Sequence, residues 1–327
     1  MVRYIIQRLL IIPAALVIVI LLTYAYAHTV QWDYASRYPQ LYNQLKNYQQ
    51  RPESLVDAYH EYLPGLLKLD LGVLRNGQAI APVIVDAFLA SMGLLVLALI
   101  LSTPLGIGLG ILAGRWNSRR PAGWLAALST AGMAMPSFYV GSLLILASVA
   151  YAIWHKGDAG LPFPLAGFGW DLHMVFPTLA LMVRPTVQIA QVTGTLLTGE
   201  LGKQYVVAAR SVGHKWRTIK YRLAFRNILA PVVLTIAGSV RSLMTSLILV
   251  EWMFFWPGLG RLLATALIPA ERTNVANSPY LLDPALTTAL LASITAIFLI
   301  ADFIASIVVR IFDPRLRVPA EEEAVGV

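Results

Sequence analysis

The chain has 327 residues, 57% of them hydrophobic and only 13% charged, with no cysteine and a formal net charge of +8. Soluble domains carry about a quarter charged residues, so this is the composition of a membrane protein. The missing thiols exclude disulfides, thiolate metal sites and cysteine nucleophiles. The excess of cations fits cytoplasmic loops between apolar spans, which makes nucleic-acid binding an unnecessary explanation of the charge.

In chain order, Arg3 and Arg8 precede an apolar run from Leu9 to Ala27, about the length that crosses a bilayer. Ala25-Tyr26-Ala27 has the small-x-small pattern of a signal-peptidase site, but the run is long for a signal peptide. An uncleaved first spanning helix is expected. Residues 28–85 are polar, and within them residues 31–54 read as a small extracytoplasmic helical insert. A second span is expected over residues 86–114. Its glycines at 106, 108, 110 and 114 include small-xxx-small spacing, which permits close helix packing. The third span, residues 124–154, is too long for one straight helix, and Met135-Pro136-Ser137-Phe138 should kink or break it. The fourth, residues 174–198, contains Arg184. The fifth, residues 228–253, contains Arg241, and the sixth, residues 285–309, contains Asp302.

Between the fourth and fifth spans lies the basic stretch 202–231, with seven cations and no carboxylate. At helical spacing Tyr205, Ala209 and Val212 form one apolar stripe, and Trp216, Ile219 and Leu223 form a second. Gly213 falls between them, where a helix C-terminus favours a residue that tolerates positive φ. The expected unit is helix, glycine turn, helix. After the fifth span, Pro257-Gly258 marks a tight turn flanked by aromatics suited to a membrane interface.

Catalytic chemistry is not legible. There is no phosphate-binding Gly-Lys-Ser/Thr loop, and histidines 28, 60, 155, 173 and 214 show no metal-ligand spacing, so no catalytic residue and no metal site are expected. Arg184, Arg241 and Asp302 are the ionisable residues at membrane depth, where they face a polar path, pair with one another or snorkel.

Several segments carry a resemblance. Val207-Ala208-Ala209, followed after three residues by Gly213, is similar to the cytoplasmic loop of ABC-importer permeases, with Val207 where the general motif has Glu. The flanking text through Phe225-Arg226-Asn227-Ile228-Leu229-Ala230-Pro231 looks like the dipeptide/oligopeptide branch. Glu251 through Leu263, containing Trp256-Pro257-Gly258-Leu259-Gly260, resembles that branch's signature turn most closely. The segment from Tyr62 to Gly72 and the ending Asp313-Pro314-Arg315 also look alike. The resemblance implies an all-α, polytopic type I ABC importer transmembrane domain with six spanning helices. Its domain reading is a first helix plus insert over 1–85, a transport domain over 86–317 and a disordered cytoplasmic tail over 318–327.

By the same resemblance, Tyr205, Val207, Ala208, Ala209, Arg210, Gly213, His214 and Lys215 form a coupling surface for an ATPase. Pro136, Ser137, Phe138, Arg184, Arg241 and Asp302 are candidates for the translocation path; a packing kink at Pro136 and an Arg241–Asp302 pair stand as alternatives. Glu251, Trp256, Pro257, Gly258 and Gly260 make the signature turn. The implied partners are a second, homologous permease, two ATPase subunits that bind ATP and Mg, an extracytoplasmic solute-binding protein and the lipid bilayer, with no nucleic acid. The implied location is the cytoplasmic (inner) membrane of a prokaryote with both termini inside. Short loops then carry three and seven cations inside against one and two outside. An ion-coupled secondary transporter is the alternative, supported only by Arg241 and Asp302, and it leaves the basic stretch unexplained.

Overall fold

A computed structural model of the chain describes residues 2–37, 54–155 apart from 69, 75, 117 and 119, then 161, 163–267, 280, 281 and 283–312. Most of the expected insert, the Asp313-Pro314-Arg315 ending and the tail lie outside the described residues. Among the described residues the chain is helical, with a single isolated bridge between Val73 and Ala79. The long helices are α1 (Val2–Arg37), α3 (Ile80–Ala113), α5 (Ser137–Trp154), α6 (Val175–Leu201), α8 (Leu229–Met253) and α10 (Pro284–Phe312). Shorter ones are α2 (Leu55–Leu67), α4 (Gly123–Ala134), α7 (Gln204–Ser211) and α9 (Leu259–Leu267).

Five helices among the described residues are long and apolar enough to cross a membrane: α1, α3, α5, α8 and α10. The remaining expected span is α6, which is long enough but less apolar. The reason lies in its surroundings, because 17 of its 27 residues are buried. Packed against α4, α5 and α8, the helix buries Thr178, Thr186, Thr193 and Thr198, hydroxyls that a lipid-facing surface would not favour. The third expected span is two helices, as the sequence required. Pro136 supplies no N–H and sits extended (φ −63°, ψ 149°) as the N-cap of α5, so α4 stops at Ala134.

The chain divides into two compact units, residues 1–92 with 255–300 and residues 93–254 with 301–327. In the first, α1 continues past the expected Ala27 to Arg37 and is clasped by α2. Tyr24 stacks on Tyr62 with centroids 4.3 Å apart and meets Tyr59 at 5.3 Å. The Tyr24 hydroxyl donates to the Ala58 carbonyl at 3.2 Å, and the Tyr59 hydroxyl donates to the Leu21 carbonyl. Burial, with Asp283 nearby, pushes the Tyr62 phenol up to about 12. Asp283 caps α10 by accepting from the Leu286 N–H at 2.9 Å.

In the second unit the glycines of α3 let two helices touch backbone to side chain. A Cβ on Gly106 would stand 2.7 Å from the Ile189 Cβ, one on Gly110 2.5 Å from the Thr193 Cβ, and one on Gly114 2.8 Å from the Leu197 side chain. Residues 106, 110 and 114 thus face 189, 193 and 197, two stripes of four-residue spacing in register. Gly108 lies on another face of α3, and a methyl group added there would meet nothing within 4 Å. Gly110→Val is therefore expected to lower the stability of the detergent-solubilised chain by about 1–3 kcal/mol. Gly108→Val should leave its thermal transition where the wild type has it. Equal transitions for the two variants would dismiss the close contact.

Candidate functional site

Stretch 202–231 folds as expected around its glycine. α7 ends at Ser211, and Gly213 takes φ +87°. Its N–H donates to the Arg210 carbonyl at 2.9 Å, while the His214 N–H reaches the Ala209 carbonyl at 3.1 Å. These are the two bonds of a Schellman cap, which satisfies carbonyls the helix leaves open. The chain then restarts at Trp216–Thr218, widens into a π-helix over Ile219–Ala224, and returns to α-helix over Phe225–Asn227 before α8 begins.

The apolar stripes anchor this unit, with two corrections. Val206, Ile219, Ala224 and Ile228 are buried against Ile111, Leu197 and Leu201, with Tyr205, Ala209 and Leu223 packed on the cluster. Helical spacing puts Val212 with Tyr205 and Ala209, yet it is 80% exposed, and Val206 takes the inward position. The Schellman turn ends the helix before Val212 can complete the stripe. Trp216 is also exposed, at 37%.

Polar contacts complete the mount. Glu200, buried at the end of α6, is the only carboxylate between Asp171 and Glu251. Its Oε2 meets the Lys203 Nζ at 2.6 Å. Its Oε1 accepts from the Tyr205 hydroxyl at 3.1 Å and from the Asn227 Nδ2 at 2.9 Å. Burial and the Glu200 carboxylate push the Tyr205 phenol up to about 12, so it remains a donor near neutral pH. Lys220 Nζ donates to the Gly114 carbonyl just beyond α3 at 3.1 Å, which places a cation at a helix C-terminus. Burial lowers the pKa of this amine. The Arg210 guanidinium lies 4.2 Å from the Trp116 ring centroid and 5.8 Å from that of Trp216. The sequence carries a signal for Glu200 that spacing rules do not register, a lone carboxylate at the edge of a seven-cation stretch.

Of the eight expected docking residues, Val207, Ala208, Arg210, Gly213, His214 and Lys215 are exposed, whereas Tyr205 and Ala209 turn inward. The outer surface is thus small, apolar and cationic on a rigid support. The residues at membrane depth separate. Arg241 of α8 is ion-paired with Asp302 of α10. Arg184 stands exposed on α6. Pro136 and Phe138 are exposed at the α4–α5 break, and Ser137 is buried.

In the turn after α8, the Gly258 N–H donates to the Trp256 carbonyl at 2.8 Å, closing a tight loop around exposed Pro257. The aromatics do not share one environment: Phe254 and Trp256 are buried, while Trp252 and Phe255 are exposed. Trp256 Nε1 donates to the Ala90 carbonyl at 2.9 Å, and the Leu259 N–H to Ser91 Oγ at 2.8 Å, so a hydrogen bond places Trp256 in the interior. Glu251 is fully buried in the last turn of α8, and Gly260 is buried in α9. Among the described residues no cluster of three His, Cys, Asp or Glu forms a metal site.

Comparison with known proteins bears on this arrangement. Residues 106–318 match the family described as binding-protein-dependent transport system inner membrane component. The chain is similar to the peptide transport system permease protein SapB of Salmonella typhimurium, 31% identical over 65% of this chain and 74% of that protein. It is 26% identical to the dipeptide transport system permease protein DppB of Lactococcus lactis over 97% of this chain and all of that protein. The glutathione transport system permease protein GsiC of Escherichia coli K12 is 26% identical over 80% of this chain and 86% of its own length.

If Glu200 holds α7 in place, Glu200→Ala leaves Tyr205 and Asn227 without their shared acceptor. The loss of bonds to a charged group is worth about 1.5–3 kcal/mol. Amide exchange across Gln204–Ser211 is expected to quicken by at least tenfold in the variant, measured by mass spectrometry in micelles. Unchanged protection would assign the mount to apolar packing alone.

Proposed function

The chain belongs to the binding-protein-dependent transport system inner membrane components, and from that premise we propose how it works and what it carries. It is the permease subunit of an ABC importer and is embedded in the inner membrane. Its solute is a di- or oligopeptide, a reading supported by relatives named for peptide, dipeptide and glutathione transport. A second, homologous permease completes the path, and two ATPase subunits hold ATP and Mg. An extracytoplasmic binding protein delivers the solute. Both termini are cytoplasmic, which puts the 202–231 stretch on the ATPase side. Residues 86–317 are the transport domain, preceded by the first helix with its insert and followed by a short tail.

The observation that carries this reading is the mount of α7. With the segment after Gly213 tied by Lys220 to the Gly114 carbonyl, apolar packing, the Tyr205 bond to Glu200 and the Arg210 contact with Trp116 hold the inner side of α7 to α6 and to the segment beyond α3. Its outer side presents Val207, Ala208 and the Gly213–Lys215 corner for a partner's cleft. Closure of the ATPases then moves α7 together with the helices it is bonded to, and the bundle rocks between outward and inward access. The Arg241–Asp302 ion pair gives both charges an internal role. That removes the one feature favouring an ion-coupled carrier.

The test is affinity purification from native membranes followed by reconstitution. Wild-type chain is expected to bring down an ATPase and a second permease, and to support dipeptide uptake only with ATP on the cytoplasmic face. Ala208→Asp and Gly213→Asp should weaken ATPase retention by at least tenfold, about 1.4 kcal/mol. For Gly213 the cause is the left-handed backbone, because a Cβ there meets nothing within 4 Å. Uptake without ATP, or full ATPase retention by both variants, would overturn the reading.

A further inference from the structure

The first compact unit contains a cavity of about 350 Å³ that the coupling function leaves unused. That lies at the lower end of the roughly 300–1,000 Å³ typical of small-molecule sites. Two helix faces line it. On α3, Val83, Asp86 and Ala87 lie three and four residues apart; on the other wall Gly258, Arg261, Leu262 and Thr265 repeat the same spacing. One turn beyond Asp86 the walls are pinned by the Trp256–Ala90 and Leu259–Ser91 hydrogen bonds. The cavity is therefore bounded by a fixed corner.

Its chemistry is two opposite charges across an apolar floor. Asp86 has no hydrogen bond or ion pair among the described residues, and it does not pair with Arg261. Arg261 donates one N–H to the Phe255 carbonyl at 2.5 Å and lies 4.9 Å from the Phe255 ring centroid. These contacts fix the guanidinium while leaving most of its five donors for a ligand. Gln78 and Tyr280 add polar groups, and Val83 and Leu262 supply apolar surface. We propose that this cavity binds a zwitterion of dipeptide size, its ammonium against Asp86 and its carboxylate against Arg261. The assignment rests on the peptide reading above and adds a site for both peptide termini on the permease itself.

The test uses full-length chain with its co-purified partners in lipid nanodiscs, without the extracytoplasmic binding protein. Equilibrium binding is measured for dialanine, N-acetyl dialanine and dialanine amide. Dialanine should bind saturably, and blocking either terminus should weaken it. Asp86→Asn should weaken dialanine by about tenfold and leave N-acetyl dialanine as it was. Arg261→Gln should do the same for dialanine while sparing the amide. Since Arg261 also holds the Phe255 turn, Asp86→Asn with the acetylated probe decides the matter if the arginine variant unfolds. Absence of dialanine binding by wild type, or equal loss of all three probes in a thermally stable Asp86→Asn variant, overturns the site. If an ATPase co-purifies in that case, the importer reading stands and this inference alone falls; if none does, the importer reading has failed first.

Discussion

The contact on which the second unit depends is the one between α3 and α6. Lipid tails are as apolar as leucine, so helices in a bilayer gain little from hiding apolar surface against each other. They associate by close packing, and close packing needs residues without side chains. Gly106, Gly110 and Gly114 provide that against Ile189, Thr193 and Leu197. The consequence reaches the basic stretch. With the helices locked in register, the Gly114 carbonyl is set where Lys220 reaches it, and the Arg115 N–H meets Thr198 Oγ1 at 3.3 Å. Leu197, Leu201 and Ile111 form the apolar platform under Val206 and Ile219. The 202–231 unit is built on that platform.

Sequence and structure agree most closely where a single residue has few options. Gly213 had to be left-handed to end α7, and Pro136 had to end α4, because one lacks a Cβ and the other lacks an N–H. The apolar runs place the spans to within a few residues for α8 and α10. Agreement weakens where burial is decided by partners distant in sequence. Val206 and Val212 carry the same side chain, but Val206 packs on Ile111, Leu197 and Leu201 while the end of α7 leaves Val212 outside. Trp252 and Trp256 look alike in a sequence, but the Ala90 carbonyl draws one of them in. α6 reads as one more span, although its buried threonines are the trace of a helix packed against protein over much of its surface.

The charges follow the same division. Hydropathy locates Arg241 and Asp302 at membrane depth, and the cost of a lone ion there makes a pairing one of the expected outcomes. That α8 and α10 bring these two side chains together is a matter of packing, which no local pattern encodes. Glu200 is the converse case. No spacing rule identifies it, yet a buried carboxylate with three partners is one of the tightest features of the site.

The mount of α7 has a mechanical consequence. Its anchors lie on three separate segments: Tyr205 meets Glu200 on α6 and Asn227 just ahead of α8, and Arg210 lies over Trp116 just beyond α3. A single tether would leave α7 free to swivel, as a door swings on one pin. Anchors on three separate segments remove that freedom, so a displacement of α7 carries those segments with it. The one left-handed residue of the stretch, Gly213, lies between α7 and the segment that Lys220 holds, and its compliance is confined to the corner it forms.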